Sequence, residues 1–365
     1  MAKVVVVGGG YGGVTVAKGL DPIADVVLVE QRDQFVHHAA ALRAAVDPVW
    51  ENAIFLPYSY LLQRGKVIQG TVSRLEGTTV HIFGQEPIEA DYVVLATGSN
   101  YAFPAKHTSS ENKVAKARLE QLHANLKHAD TVLIIGAGTV GLELAGELAH
   151  SFPGMHIELV EREDKILPHR GYTEEFRDEI LRQVSDLDMD IHLNTTVQTL
   201  PPTSVGELGR FEVTTTDGDT IEADMWFKCY GSTTATGYLT GTTYQDLLTP
   251  SGTIEVEPTL QLIGHPRVYA VGDVSAIDDS DRADVARQQA RVAIANIATQ
   301  IDGGEPDVVY ERAKEWVVVP LGPDGGASQL LDSHGNTRVV GEQQTAEIKG
   351  SDLMVSVIRA QLNLP

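Results

Sequence analysis

Cysteine is almost absent from this chain, whose 365 residues include a single one, Cys229. A lone thiol forms no internal disulfide, so nothing in the sequence requires an oxidising compartment. Cys229 follows the strand-like run MWF, which predicts a packed and chemically inert thiol.

Long apolar runs and positive charge are also scarce. No stretch approaches the ~18 continuous apolar residues of a membrane helix, and the N-terminus shows neither a signal peptide nor a myristoylation glycine at position 2. The net charge is −22, from 28 basic and 50 acidic residues. A surface this acidic repels phosphate backbones, which argues against nucleic acid as a partner. The sequence predicts a cytoplasmic protein, with peripheral membrane contact as the alternative.

Two polar features carry little functional signal. The 12 histidines show neither an HExxH motif nor another paired-ligand spacing, so we expect no metal site. The acidic segment DDSDRAD (278–284) predicts a solvated turn, and docking of a basic redox partner is the alternative.

Glycine, by contrast, is concentrated in two similar loops. Residues 4–13 read VVVVGGGYGG and residues 132–141 read VLIIGAGTVG, each a β-branched run that ends in a G-x-G-x-x-G pattern and opens a helix. We call residues 8–13 the first glycine loop and residues 136–141 the second. The first glycine of such a loop makes a tight turn, the second admits a pyrophosphate, and the third lets helix pack on strand. Each loop therefore predicts a dinucleotide site, with a simple packing turn as the alternative.

An acidic residue ends the next apolar run after each loop, Glu30 in the first case and Glu161 in the second. Such a carboxylate accepts hydrogen bonds from the adenosine ribose hydroxyls. Glu161 also repels a 2′-phosphate, which favours NADH over NADPH, although the adjacent Arg162 leaves NADPH open.

The order of these units predicts an α/β fold with two Rossmann-like dinucleotide-binding domains and a small C-terminal α+β domain. ATG (96–98) and VYAVGD (268–273) favour a flavin domain built from residues 1–105 and 238–303, with a nicotinamide domain (106–237) inserted and residues 304–365 following. Asp273 is expected near the flavin ribityl or phosphate region, or else as a helix N-cap. The segment SDLMVSVIRAQLNL (351–364) predicts one terminal helix with its apolar side chains on one face, packed on the core or against a membrane.

Several motifs together resemble a known family. GGGYGG, ATG, GAGTVGLELAGEL, CYG and VYAVGD are similar to the two-dinucleotide-binding flavoprotein reductases, over nearly the whole chain. HHAAALRAAV (37–46) and KGSDLMVS (349–356) resemble the branch of apoptosis-inducing-factor-like and ferroptosis-suppressor proteins, which includes an NAD(P)H:quinone oxidoreductase. The resemblance implies FAD in the outer domain, NAD(P)H in the insertion, and a C-terminal domain that lines a quinone site.

The same resemblance implies roles for individual residues. Arg43 would lie beside the flavin, Glu143 would face the nicotinamide and the isoalloxazine, and Lys349 and Met354 would border the acceptor pocket. The helix around Gln288 and Gln289 would place its first amides near the flavin pyrimidine edge. His37 and His38 would lie near the flavin or in a surface turn.

Plainer roles stay open for three of these residues. Arg43 could pair with a surface acid, Glu143 could complement the dipole of its helix, and Lys349 could be a solvated charge. The predicted catalytic residues are Glu143 and Lys349. The predicted cofactor-binding residues are Gly8, Gly10, Gly12, Gly13, Glu30, Arg43, Thr97, Gly98, Gly136, Gly138, Gly141, Glu161, Gly231, Gly272, Asp273 and Gln288.

The expected activity is hydride transfer from NAD(P)H to FAD N5, followed by two-electron reduction of a quinone-type acceptor. A disulfide relay needs a cysteine pair and is excluded by the single Cys229. Two alternatives remain, a reductase of a small redox protein such as ferredoxin or rubredoxin, and a non-enzymatic NADH-binding redox sensor. The sequence carries no signal of an oligomeric state.

Overall fold

The computed structural model describes residues 1–277, 282–312 and 314–365. Most of the acidic segment predicted as a solvated turn, residues 278–281, lies outside the described part. The strands are β1 Lys3–Val7, β2 Asp25–Glu30, β3 Phe35–Val36, β4 Phe55–Leu56, β5 Lys66–Gln69, β6 Val72–Glu76, β7 Thr79–Ile82, β8 Ile88–Glu89, β9 Tyr92–Leu95, β10 Ser99–Asn100, β11 Thr131–Ile135, β12 His156–Val160, β13 Met189–His192, β14 Phe211–Thr214, β15 Thr220–Ala223, β16 Met225–Lys228, β17 Thr233–Thr234, β18 Gln261–Leu262, β19 His265–Ala270, β20 Val317–Leu321, β21 Gly325–Leu331 and β22 Thr337–Val340. The α-helices are α1 Tyr11–Leu20, α2 Ala41–Val46, α3 Glu51–Ile54, α4 Asn112–Leu126, α5 Thr139–Ser151, α6 Glu174–Val184, α7 Ala283–Ile301, α8 Glu342–Thr345 and α9 Val355–Gln361.

The first layer is a six-stranded sheet in the order β18-β19-β9-β1-β2-β5, parallel except for β18. β1 lies at its centre because its valines bury both faces of the sheet, as a parallel strand between helices requires. Helices α1 and α7 pack on one face through small residues and valines such as Val14, Ala17 and Ala290. The sheet joins strands from residues 3–95 with strands from residues 261–270, so this layer is discontinuous along the chain, as the sequence predicts.

The second sheet repeats this design with the strand order β13-β12-β11-β16, all parallel. The antiparallel hairpin β14–β15 packs on one of its faces through a core that includes Leu133, Ile135 and Trp226. In both sheets the central strand, β1 or β11, runs directly into a glycine loop and then a helix. The predicted α/β class with two Rossmann-like units is confirmed. The domain boundaries themselves stay a proposal.

The C-terminal part is an antiparallel sheet, β20-β21-β22, that lies against helices α5 and α6. The approach to α5 is close, because a Cβ on Gly146 would lie 2.5 Å from Leu321 Cα. The Gln183 amide on α6 donates to the Gly326 carbonyl at 2.8 Å and accepts from the Gly326 N–H at 2.6 Å. The sheet is therefore held to α6 by hydrogen bonds and packs closely on α5, the helix that the second glycine loop opens.

The chain end differs from the predicted single helix. Helix α9 begins only at Val355, because Leu353 and Met354 adopt the left-handed conformation with φ of 49° and 64°. Leu353 and Ile358 are buried whereas Val357 is exposed, so the prediction of one continuous apolar face is wrong. Among the described helices, none is long and apolar enough to span a bilayer.

Candidate functional site

A cavity of 430 Å³ opens between the two glycine loops. The carboxyl ends of the six-stranded sheet form one wall, the first turns of α5 form another, and the C-terminal part closes a third. The predicted site residues that line it are Gly10, Gly12, Glu30, Thr97, Gly98, Glu143, Gly272, Asp273 and Lys349. The fold thus brings together residues from the first glycine loop, the second Rossmann-like unit and the chain end.

The glycines of both loops separate into two kinds. A Cβ on Gly13 would collide with the Gly8 carbonyl, and a Cβ on Gly141 would collide with the Gly136 carbonyl, so these glycines serve packing. A Cβ on Gly10 or on Gly138 would meet no atom within 4 Å. Open space thus lies in front of the N-termini of α1 and α5, where unpaired N–H groups attract a pyrophosphate. Both loops fit dinucleotide phosphates.

The acidic residues after β2 and β12 are tied to the loops that they follow. Glu30 accepts a hydrogen bond from the Gly9 N–H at 2.5 Å, and Glu161 accepts one from the Ala137 N–H at 2.7 Å. Both carboxylates are buried, and each ionised carboxylate offers about four lone-pair sites. Their remaining acceptor sites suit the ribose hydroxyls of a dinucleotide.

Each loop also adjoins a space for the adenosine end. A smaller cavity of 120 Å³ shares Glu30 and Thr97 with the main one and ends at Val72. A separate cleft of 450 Å³ at the second loop is lined by Gly136, Gly138, Glu161, Arg162, Glu163, Pro168, Arg170, Cys229 and Tyr230. Burial raises the pKa of Cys229 to about 12, which confirms an inert thiol at this edge of the cleft.

Asp273 lies in a short 3-10 turn on the cavity wall. Its carboxylate accepts hydrogen bonds from the Ser99 hydroxyl at 2.5 Å and from the Lys106 ammonium at 3.2 Å. The alternative role as an N-cap of the next helix is wrong, because α7 begins at Ala283 and its N-cap is Arg282. Asp273 and Lys106 instead present a paired charge to the cavity.

Glu143 and Lys349, 206 positions apart, form an ion pair inside this cavity. The Lys349 ammonium lies 2.8 and 2.9 Å from the two carboxylate oxygens of Glu143. The side chains are only 14% and 16% exposed, respectively, so Lys349 is not a solvated charge. Glu143 is the fifth residue of α5, beyond the first turn where a carboxylate best complements the helix dipole. Burial raises the pKa of Glu143, and the nearby Lys349 opposes that rise.

The two neighbouring histidines have different surroundings. His37 is buried, and burial lowers its pKa to about 4. The ring is therefore neutral, and its Nε2–H donates to the Leu353 carbonyl at 2.7 Å while Nδ1 accepts from the Tyr11 hydroxyl at 2.9 Å. His38 lines the cavity, and within the described residues its shielded Nδ1 has no hydrogen-bond partner. An unpaired polar atom on the cavity wall suits a polar ligand.

Outside the two glycine loops, some expected residues line none of the three cavities. Arg43 lies behind the wall of the main cavity, where its guanidinium contacts the buried Glu147 at 2.8 to 3.0 Å and the Gly350 carbonyl at 2.6 Å. Arg43 therefore does not line the cavity. The acid that it contacts is buried and not at the surface, where the alternative prediction had it. Gln288, Met354 and Gly231 are also absent from the wall.

Gln288 is directed elsewhere because of its position on α7. Its amide faces Asp284 at 3.5 Å, one turn earlier on the same helix. The buried Gln289 holds the turn that carries Asp273, since it accepts a hydrogen bond from the Gly272 N–H at 2.7 Å. The cavity wall is built instead from the first residues of α7 and the residue before it, Arg282, Ala283 and Ala286.

Other lining residues were missed in the sequence because only the fold brings them together. They are Tyr11, Arg32, Ala39, Leu42, Ala96, Ser99, Tyr101, Ala105, Lys106, Thr139, Val140, Ser232, Val271, Arg282, Ala283 and Ala286. Some stand next to a predicted motif, as Ser99 does after ATG and Val271 does before Gly272. Lys106 has no such signal.

Comparison with known proteins agrees with this geometry. A family model for pyridine nucleotide-disulphide oxidoreductases matches residues 2–295. Apoptosis-inducing factor homolog B of Dictyostelium discoideum is 28% identical over 388 residues, covering 100% of this chain and 97% of that protein. Ferroptosis suppressor protein 1 of Homo sapiens is 27% identical over 364 residues, covering 97% of this chain and 94% of that protein. The solved sulfide:quinone oxidoreductase of Aquifex aeolicus matches with a TM-score of 0.75 and 18% identity, over 100% of this chain and 92% of that one. The resemblance found in the motifs is confirmed.

Proposed function

The chain belongs to the pyridine nucleotide-disulphide oxidoreductase family, and we propose that it is an FAD-dependent NAD(P)H oxidoreductase that reduces a quinone-type acceptor. FAD would occupy the main cavity and the smaller one beside it, with its pyrophosphate on the first glycine loop. NAD(P)H would bind the second loop, with its nicotinamide entering the main cavity beside Glu143. When bound, FAD accepts a hydride from NAD(P)H and passes two electrons to the acceptor.

The observation that carries this proposal is the Glu143–Lys349 ion pair in the cavity between the two loops. Glu143 stands on α5, the helix that the second loop opens, so its position is fixed relative to the bound NAD(P)H. Lys349 comes from the C-terminal part and fixes the Glu143 carboxylate with two short contacts. The pair would orient the nicotinamide, because a positioned group lowers the entropy cost of reaching the reactive geometry.

A quinone-type acceptor is supported by three features. The single cysteine excludes a disulfide relay, so electrons leave the flavin directly. The motifs KGSDLMVS and ALRAAV resemble a branch that includes a quinone reductase, and one solved structure of the same fold is a sulfide:quinone oxidoreductase. Lys349 is on the cavity wall, where its ammonium would stabilise negative charge that develops on a reduced quinone oxygen.

We propose NADH as the preferred donor. Glu161 is buried directly after β12 and accepts a hydrogen bond from the Ala137 N–H in the second loop. A 2′-phosphate at that position would therefore face a carboxylate. Arg162 and Arg170 also line this cleft, and they are the residues that would accommodate NADPH. The ratio of kcat/KM for NADH to that for NADPH tests this preference, which a ratio below one would contradict.

Acceptor specificity tests the proposed function. Purified flavoprotein is supplied anaerobically with NADH and either a soluble benzoquinone or a ferredoxin. We expect turnover with the quinone and little with the ferredoxin. The opposite order would identify a reductase of a small redox protein. Slow turnover with both, together with a long-lived complex of NADH and oxidised flavin, would identify a redox sensor.

A further inference from the structure

Two short sequences on neighbouring strands bring histidines and carboxylates together at a place that lines none of the cavities described above. His156 and Glu158 belong to HIE at the start of β12, and Asp190 and His192 belong to DIH on β13. The parallel register places Glu158 directly opposite Asp190. Residues two apart on a strand share a face, so all four side chains lie on one face of the sheet.

The distances between the polar atoms match those in a metal site. His156 Nε2 lies 3.3 Å from Glu158 Oε1 and 3.5 Å from Asp190 Oδ2. One ligand atom from each of these three residues falls within 4.8 Å of the other two. Two ligands about 2.0 to 2.1 Å from a tetrahedral zinc ion are about 3.3 to 3.4 Å apart. The two separations from His156 Nε2 are close to this value, so small shifts of the three side chains would bring them around a small dication.

The flanking residues would hold these ligands in place. His156 Nδ1 contacts Asp188 Oδ1 at 2.9 Å, and His192 Nε2 contacts Glu158 Oε2 at 2.7 Å. A carboxylate on the second nitrogen of a ligand histidine is the usual outer partner in zinc sites, because it fixes the ring and its tautomer. Both nitrogens of His156 face carboxylates. A protonated ring would donate to both, and a cation bound at Nε2 would take the place of that proton.

We propose that His156, Glu158 and Asp190 form a binding site for a divalent transition metal of the zinc type, with water in the fourth position. The donor set of imidazole and carboxylate suits Zn²⁺ better than Mg²⁺ or Ca²⁺, which prefer oxygen ligands alone. The net charge of −22 attracts cations to the surface. The metal would bridge β12 to β13, the edge strand of the second sheet.

A metal here would differ from the sequence-based expectation of no metal site. HExxH is a helical spacing, whereas here the pairs are i and i+2 on two strands. Their meeting depends on the register of β12 with β13, which the two short segments do not reveal.

Equilibrium dialysis of the chelator-treated full-length protein against Zn²⁺ tests the proposal. We expect about one bound equivalent in the wild type and at least a ~10-fold weaker affinity in His156→Ala. Asp188→Asn, which alters only the outer partner, should weaken binding by ~10-fold. The exposed His334→Ala provides the matched control and should bind as the wild type does.

Thermal unfolding gives a readout that is independent of activity. Zn²⁺ should raise the Tm of the wild type and of His334→Ala but not that of His156→Ala, because a ligand stabilises only the fold that binds it. Flavin content and circular dichroism confirm that each variant is folded. If His156→Ala binds Zn²⁺ as tightly as the wild type, or if the wild type binds none, the proposal is wrong.

Discussion

Individual glycines of the two loops have distinct roles, because some face open space and others pack against backbone. Gly10 and Gly138 face open space, whereas Gly141 packs against the Gly136 carbonyl. We predict that Gly10→Ala binds FAD weakly, because the new methyl occupies the phosphate space, while the Tm of its flavin-free form stays nearly that of the flavin-free wild type. Gly138→Ala should keep its flavin and lose affinity for NADH. Flavin content and NADH titrations of the two variants measure this.

Gly141→Ala is the control for this prediction. It should lower the Tm strongly, since its methyl would overlap a backbone carbonyl that has no room to move. If Gly138→Ala loses flavin while Gly10→Ala keeps it, the assignment of the two cofactors to the two loops is reversed.

The charge balance at Glu143 depends on Lys349. Burial already raises the pKa of Glu143, and Lys349→Met would raise it further by removing the opposing cation. When the pKa of a carboxylate is raised in the folded protein, the unfolding free energy falls as pH rises from the unfolded-state pKa through the folded-state pKa. We predict that the Tm of Lys349→Met falls relative to the wild type as pH is raised from 5 to 8, at roughly 1 to 1.5 °C per kcal/mol lost for a chain of 365 residues.

The variant Lys349→Met/Glu143→Gln provides the comparison, because it lacks the carboxylate that titrates. Its Tm difference from the wild type should vary less with pH than that of Lys349→Met. Equal pH dependence of the single and double variants would show that Lys349 does not control the protonation of Glu143.

Among the structural elements, α2, α5 and the segment after Lys349 are joined by one buried ion pair. Arg43 and Glu147 are 5% and 4% exposed, and Arg43 also donates to the Gly350 carbonyl. We predict that Glu147→Leu costs about 3 to 5 kcal/mol of unfolding free energy, because it leaves the Arg43 charge buried without its carboxylate. Urea unfolding of the wild type and the variant measures the loss.

The double variant Arg43→Met/Glu147→Leu should recover most of that loss, since an apolar pair of similar volume replaces the ions. A double variant that loses as much as the sum of the two single variants would show that the two residues do not interact.

The elements that repeat along the chain are the ones that the sequence predicts well. Strand, glycine loop, helix and acidic strand end are local patterns, and both copies fold as expected. The prediction of one terminal helix is wrong because two left-handed residues, Leu353 and Met354, interrupt it. An apolar periodicity does not indicate such residues. The contact of Arg43 was not predictable from local sequence, because its partner Glu147 is 104 positions away. Only the packing of α2 on α5 brings the two side chains together.

The site follows the same division. The glycines and acids of each dinucleotide motif are readable because spacing alone defines their roles. The family resemblance suggested separate places for Glu143 and Lys349, and only the fold reveals their ion pair. The contact of Lys106 with Asp273 had no signal in the sequence. Long-range polar contacts are set by tertiary packing, which no local pattern encodes.

For the whole molecule, buried histidines make stability depend on pH. Burial lowers the pKa values of His37 and His107 to about 4, against an unfolded value of 6.5. Between these values the unfolded chain binds protons that the folded chain does not, so the unfolding free energy falls as pH falls from 6.5 to 4. We predict that His37→Gln reduces the slope of unfolding free energy against pH, measured near pH 5.5, by up to about 1.4 kcal/mol per pH unit.

His107→Gln should reduce that slope in the same way, and the exposed His334→Gln is the control for a histidine replaced at the surface. Unchanged slopes in both buried-site variants would show that these rings bind protons equally in the folded and the unfolded protein.

The proposed function requires that NADH reduces a flavin bound between the two glycine loops, beside Glu143. The direct measurement is anaerobic rapid mixing of the flavoprotein with NADH, with the flavin absorbance followed near ~450 nm. We predict that the wild type is bleached, and that Glu143→Ala keeps its flavin but is bleached at least ~10-fold more slowly because the nicotinamide is less well positioned. Equal rates in the two proteins, or no bleaching of the wild type, would contradict the claim.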